Sequence, residues 1–296
     1  MRTFYGAWPA LVTPFSADDR VNVTVLEALT DYLMDRGVAG FYLCGSTGQG
    51  VHMSVAERKL TVETVLAQTG RRTPVIVHVG SQVMAEAIEL ARHAQATGAA
   101  GISSIIPAGY SDPEAIARYF TILAGAVPEL PFLPYLFGGS VADPVALLAR
   151  LADLPNLAGT KYTGPNMFQF RQIVEARSDS WSAFSGMDEQ CLFAAMFGSC
   201  GNIGSTLNVI PGIYQEMHDC CRHSDLMRGR DYQLRANRIT EILFNYGFHG
   251  ALRVALWLLG FDCGQPRLPA QLFSPAKRDA FRADLEAADF FEIAAM

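Results

Sequence analysis

The scarcest informative residue in this chain is lysine: its 296 residues contain three, at positions 59, 161 and 277, among 23 basic residues in all. Other features are missing altogether. The six cysteines (44, 191, 200, 220, 221 and 263) form no C-x-x-C pair, and the adjacent Cys220 and Cys221 have poor geometry for a simple bridge. Free thiols in a reduced, cytoplasmic protein are therefore the expectation. The opening MRTFYGAWPALVTPF lacks an apolar stretch followed by a small-residue cleavage site, so no secretory signal is expected. No apolar run approaches the ~20 residues that a membrane-spanning helix needs. No H-x-H or H-E-x-x-H spacing links the six histidines, so a dedicated metal-ligand cluster is not expected either. A net charge of −6 without a basic cluster argues against nucleic acid or an anionic membrane as the main partner and reads as a charge that keeps the protein in solution.

What is present is an ordinary globular composition, 50% hydrophobic and 18% charged. The length suits one barrel of about 250 residues with additions, or two domains of about 150. Short apolar, β-branched runs occupy 6–15, 40–44, 74–80, 100–107, 131–137, 157–163, 182–188 and 201–206. Helix-periodic stretches lie between them, at 23–36, 54–68, 83–97, 113–124, 144–152 and 167–176. Ser54 with Glu57 has capping-box spacing, and Asp112-Pro113 and Asp143-Pro144 each set a capping side chain before a first-turn proline. Gly37 and Gly98 stand where helices must end. Strands apolar on both faces, each followed by a helix, require a parallel sheet. Eight such units predict a (β/α)8 barrel. A doubly wound open sheet is the competitor, but its G-x-G-x-x-G turn is absent. After residue 209 the chain reads as helices only, clearest at 232–246, 251–259 and 275–290. The expectation is a single domain over 1–296, with the barrel at about 1–225 and a helical extension at about 226–296.

Reactive groups of such barrels sit at the C-terminal ends of strands. The second strand ends in Gly45-Ser46-Thr47-Gly48, which is either a cradle of backbone N–H groups for a carboxylate or phosphate, or a plain βα turn. Tyr135 near the end of the fifth strand is either a proton-moving phenol or a core ring with a satisfied hydroxyl. The sixth strand, LAGTKYT, holds Lys161. Lys59 and Lys277 sit beside charged residues on helices and read as solvated surface. A chain that elsewhere chooses arginine has placed a lysine inside an apolar strand. Arginine keeps its proton, whereas a buried lysine can lose it and attack a carbonyl. The alternative is a structural ion pair within the barrel. The seventh strand runs into Ser185-Gly186-Met187-Asp188-Glu189, whose carboxylates suit a metal, a general base, polyol hydroxyls or a helix N-terminus. GNIGSTLN, in the eighth, offers Ser205 and Thr206 in a region where many barrels bind phosphate. His78, at the end of the third strand, reads as a satisfied core histidine.

In this order and spacing, ALVTPF, GSTG, GTKYT and GNIGST resemble the dihydrodipicolinate synthase and N-acetylneuraminate lyase superfamily of pyruvate aldolases over nearly the whole chain. SGMDE and Thr163 look closer to the lyase branch. The resemblance implies a reversible class I aldolase cleaving a 2-oxo sugar acid such as N-acetylneuraminate to pyruvate and an aldehyde. No cofactor is implied beyond a covalent Schiff base on Lys161. It further implies Tyr135 as proton relay with Ser46 as its partner and Thr47 as carboxylate ligand. Thr163, Gly186, Asp188, Glu189 and Ser205 become sugar-acid contacts, and a homotetramer built from dimers is the implied assembly.

The chain also departs from the pattern. Gln49 replaces the usual glutamate after GSTG, and Leu136-Phe137-Gly138-Gly139 replaces the usual Asn or His, hydrophobic residue and proline after the tyrosine. The arginine with which dihydrodipicolinate synthases hold a second carboxylate is missing, the nearest being Arg150. Pro107 is followed by Ala108-Gly109-Tyr110, and no role passes to Tyr110. Hydrophobic Leu136, Phe137 and Met187 keep open a second outcome of the same imine, a dehydratase or hydratase-aldolase. The departures at Gln49 and 136–139 keep open a ligand-binding barrel that has lost catalysis.

Overall fold

The computed structural model describes residues 4–176 and 181–296. Eight strands form one parallel sheet: β1 (Gly6–Pro9), β2 (Phe41–Leu43), β3 (Val75–His78), β4 (Gly101–Ile105), β5 (Phe132–Phe137), β6 (Gly159–Thr163), β7 (Ser182–Ser185) and β8 (Gly201–Gly204). Their order is β1-β8-β7-β6-β5-β4-β3-β2. A parallel bridge between Ala10 and Tyr42, with Leu11 N donating to Tyr42 O at 2.9 Å, brings β1 to β2 and completes the ring. Helices α1 (Val23–Asp35), α2 (Val55–Thr69), α3 (Met84–Thr97), α4 (Pro113–Gly125), α5 (Pro144–Arg150), α6 (Met167–Ala176), α7 (Cys191–Met196) and α8 (Pro211–Arg222) alternate with the strands. This is the (β/α)8 barrel expected from the alternating pattern. Four more helices follow: α9 (Leu226–Asn245), α10 (Phe248–Leu258), α11 (Arg278–Ala287) and α12 (Phe290–Ala294).

The local signals act as their chemistry requires. Ser54 and Glu57 form a reciprocal capping box, and Asp112 and Asp143 accept from Ala115 N and Ala146 N, each at 2.9 Å. Gly37 and Gly98 take left-handed conformations, with φ of 71° and 88°. Two expectations shift. The apolar run 6–15 is strand only as far as Pro9. Beyond it the chain crosses the barrel mouth, where Val12 N donates to Asn208 Oδ1 at 2.9 Å and Phe15 N to Cys263 O at 3.0 Å. The helix expected over 275–290 begins as a 3-10 turn and is broken at Asp289, whose φ is 58°.

Period-2 alternation divides the core in two. Inward positions fill the barrel with Phe4, Trp8, Ala10, Tyr42, Ile76, Leu133, Phe184 and Ile203. The Trp8 ring meets Phe4 and Phe184 edge-on at 5.5 and 5.7 Å. A Cβ on Gly40 would come within 2.4 Å of the indole, so the large ring fits only beside a glycine. Truncating a ring this well packed costs about 3–5 kcal/mol. Outward positions pack against the helices in the larger cluster. The filled interior is a rigid floor beneath the strand ends.

Candidate active site

Strand register brings the predicted residues to one end of the barrel. Tyr135 pairs with Lys161, Phe137 with Thr163, and Lys161 with Phe184 across β5, β6 and β7. Lys161 is 5% exposed, and its Nζ lies 4.4 Å from the Tyr135 ring centroid and 4.6 Å from that of Tyr42. Among the described residues no carboxylate lies within ion-pair distance of it, which removes the structural ion pair as an explanation. Burial pulls its pKa down to about 7, partly opposed by the Asp188 charge. The free amine is therefore accessible near neutral pH, as it is not for a solvated lysine.

Around that amine, burial raises the Tyr135 phenol, the nearby Thr163 and Ser46 hydroxyls oppose that rise, and the Asp188 charge adds to it. Thr163 Oγ1 is itself buried without a hydrogen-bond partner. Gly186 is a glycine for a steric reason, since a Cβ there would stand 1.8 Å from Thr163 Oγ1 and 2.9 Å from Lys161 Cε.

The turn after β2 is tightly folded. Cys44 and Gln49 have φ of 56° and 53°, and a Cβ on Gly50 would lie 1.9 Å from Cys44 O. Thr47 Oγ1 and Ser205 Oγ are 2.6 Å apart, joining the β2 and β8 turns across the barrel closure. Gln49 is buried behind the turn, where its Nε2 donates to Arg267 O at 2.8 Å and its Oε1 accepts from Arg267 N at 3.0 Å.

The two carboxylates after β7 part company. Asp188 is buried and accepts from Thr206 N at 2.9 Å and Thr206 Oγ1 at 2.7 Å, while Thr206 Oγ1 also meets Tyr214 OH at 2.6 Å. Gly204 makes room for it: a Cβ there would fall 1.5 Å from Asp188 Oδ1. The Asp188 side chain thus ties the β7 and β8 turns together. Glu189 is half-buried, and burial, then repulsion from Asp188, raises its carboxyl. It has no ion-pair partner among the described residues and is the freer of the two to meet a ligand.

Sequence reasoning did not single out Tyr42. Its ring lies against Lys161 Nζ, and its hydroxyl donates to Ser103 Oγ at 3.0 Å. The signal was its inward position on β2, three residues ahead of the Gly45–Gly48 turn. His78 is neutral: its Nε2 accepts from Ile105 N at 3.0 Å and burial lowers its pKa to about 3. Lys59 pairs with Glu89 at the surface, at 2.6 Å. Cys191 Sγ lies 3.6 Å from His218 Nε2, but burial raises the thiol and lowers the imidazole to about 4, so the pair stays uncharged and forms no thiolate. No cluster of three His, Cys, Asp or Glu suited to a metal occurs among the described residues.

A buried amine against two tyrosine rings at the C-terminal end of a parallel barrel is an arrangement for carbonyl chemistry. Residues 3–288 match the family described as Dihydrodipicolinate synthetase family. The chain belongs to that family. Within it the likeness runs to the lyases: the chain is 31% identical over 280 residues to an N-acetylneuraminate lyase of Rhizobium meliloti, covering 94% of this chain and 93% of that protein. It is 32% identical over 284 residues to a 4-hydroxy-tetrahydrodipicolinate synthase of Acidiphilium cryptum, covering 95% and 97%. Among solved structures, the Proteus mirabilis N-acetylneuraminate lyase superposes with a TM-score of 0.92 at 30% identity, covering 97% of this chain and 99% of that one. The family member described here is a carbon–carbon lyase of the aldolase type.

Proposed function

We propose that this protein reversibly cleaves a 2-oxo sugar acid of the N-acetylneuraminate type to pyruvate and an aldehyde through a Schiff base on Lys161. The observation that supports this above all is the buried, unpaired Lys161 amine at the end of β6. The free amine attacks C2 of the 2-oxo acid, and the carbinolamine loses water to give an iminium. The C4 hydroxyl then gives up its proton as the C3–C4 bond breaks. Its electron pair moves onto the iminium nitrogen, leaving an enamine and the aldehyde. Protonation at C3 and hydrolysis release pyruvate and restore the amine. Tyr135, with Ser46 beside it, moves protons at the carbinolamine and the departing hydroxyl, a service typically worth about 10²–10⁴-fold. Backbone N–H groups of Ser46 and Thr47 hold the carboxylate and fix the angle of attack. Thr163, Gly186, Glu189 and Ser205 face the hydroxyl tail, and Asp188 holds their turns in place and offers its backbone. No cofactor or metal enters these steps.

Arg150 bears on the partner. It is exposed and paired with Glu114 on the neighbouring helix, so it is not available to hold a second substrate carboxylate as dihydrodipicolinate formation would require. A hydratase-aldolase outcome has one observation in its favour, Phe137, which is 49% exposed at the strand end beside Thr163. Leu136, which pointed the same way, is buried on the outer face of the barrel and does not support it. Water loss without pyruvate release would select that outcome.

In the same reading residues 1–296 work as one domain, in the cytoplasm, as a homotetramer of paired dimers; light scattering of the purified protein tests the assembly. The deciding experiment is borohydride reduction with pyruvate, followed by intact mass and peptide mapping. A reduced adduct on Lys161 is expected. Folded protein with no adduct in excess pyruvate overturns the scheme and favours a barrel that binds without catalysis.

A further inference from the structure

We infer that the cleft between the β1–α1 loop, α10 and the start of α11 is a second ligand site, for a small molecule bearing a carboxylate or phosphate group. The cleft has a volume of about 550 Å³ and is lined by Phe15, Arg253, Trp257, Asp262, Gln265 and Arg278, among others. None of the residues given chemical roles above borders it.

Its inner wall holds a cation without an anion. Arg253 is 3% exposed, and its guanidinium donates to Cys263 O at 2.5 Å, Thr13 O at 2.9 Å and Gln49 Oε1 at 3.2 Å. All three acceptors are neutral, and they engage three of the five N–H donors. Among the described residues no carboxylate lies within ion-pair distance of Arg253. Burial and the nearby Arg267 pull its pKa to about 10, so it stays charged at neutral pH.

A second cation closes the cleft. Arg278 stacks on Trp257 with its guanidinium carbon 4.5 Å from the ring, again without an ion pair among the described residues. The acids in the lining are exposed and already engaged. Asp19 binds Arg267 at 2.9 Å, and Asp262 accepts from Gly264 N at 3.1 Å. The buried Arg253 cation thus lies inside, with Arg278 and the two acids at the solvent edge. A buried charge lacking a counterion is costly, and an oxyanion on the guanidinium removes that cost through charge-assisted hydrogen bonds. On its far side Arg253 touches the turn after β2 through Gln49.

Trp257 supplies the readout, being 43% exposed where Trp8 and Trp181 are buried. Inorganic phosphate and citrate are titrated into the full-length protein at constant ionic strength, following tryptophan fluorescence. A saturable change is expected with at least one anion, and the tighter of the two shows which head group the site takes. Trp257→Phe should abolish the signal. Arg278→Gln, an exposed change that leaves pyruvate trapping intact, should weaken binding at least tenfold. Lys161→Ala should bind the anion as the wild type does, whatever becomes of the Schiff-base reading. The inference is overturned by a signal that potassium chloride reproduces, by no saturable change with either anion, or by a signal that survives in Trp257→Phe. Unaltered affinity in Arg278→Gln, or loss of binding in Lys161→Ala, overturns it equally.

Discussion

Lys161 and Arg253 are both basic, both almost wholly buried, and both without a carboxylate partner among the described residues, yet they are built for opposite ends. Arg253 is surrounded by oxygen acceptors at 2.5 to 3.2 Å, and burial brings its pKa only to about 10. Lys161 faces two aromatic rings and receives no such set of acceptors, and its pKa falls to about 7. The aromatic faces favour the cation but do not replace lost hydration, so desolvation wins. One site keeps its proton and the other is poised to release it. The difference lies in the acceptors around each head group and in arginine's far higher intrinsic pKa.

The most severe way to break this comparison is Lys161→Arg. Arginine keeps the positive charge but supplies no neutral amine, so turnover of a 2-oxo sugar acid should fall to the detection limit and the borohydride adduct should vanish. Retained turnover would mean that charge, not nucleophilicity, is what the position provides. Lys161→Met sharpens the same point through stability. The folded pKa of about 7 lies below the unfolded value near 10.5, so between these limits the unfolded chain binds the extra proton. The destabilisation from Lys161 is therefore full below about pH 7 and fades as pH rises toward 10.5. Lys161→Met should melt above the wild type at pH 6.5, and the gap should narrow steadily toward pH 10. A pH-independent gap would show that the amine is not desolvated.

Arg253→Met tests the other arm. It strips donors from Thr13 O, Cys263 O and Gln49 Oε1, while relieving a buried charge. We expect a net loss of about 1.5–3 kcal/mol, the worth of one hydrogen bond to a charged group, measured by urea unfolding. A more stable variant would mean that the acceptors are not what holds the cation.

How much of this was legible beforehand follows from which interactions are local. The barrel could be read because each strand and cap declares itself within a few residues, as Ser54 with Glu57 does. Lys161 could be read because its neighbours in sequence are apolar and lysine is rare. Tyr42 could not, because its contact with Lys161 depends on inward positions of strands far apart in the chain. Nor could the inward turn of Asp188, whose partner Thr206 lies 18 residues on. The departure at Gln49 could be seen, but its cause could not: a buried arginine from α10 and the backbone of Arg267 are its partners.

Lys59 gives the smallest expected effect and the control for the whole comparison. It has the same chemistry as Lys161, but it lies on α2, where it meets Glu89 at 2.6 Å with both side chains reaching solvent. Water screens such a pair, and exposed ion pairs are worth about 0.2–1 kcal/mol. Lys59→Arg keeps the pair and should leave stability within about 0.5 kcal/mol. Turnover and the mass of the trapped adduct should be unchanged. Loss of the adduct in this variant would point to the wrong lysine, and the contrast between buried and exposed amines would fail with it.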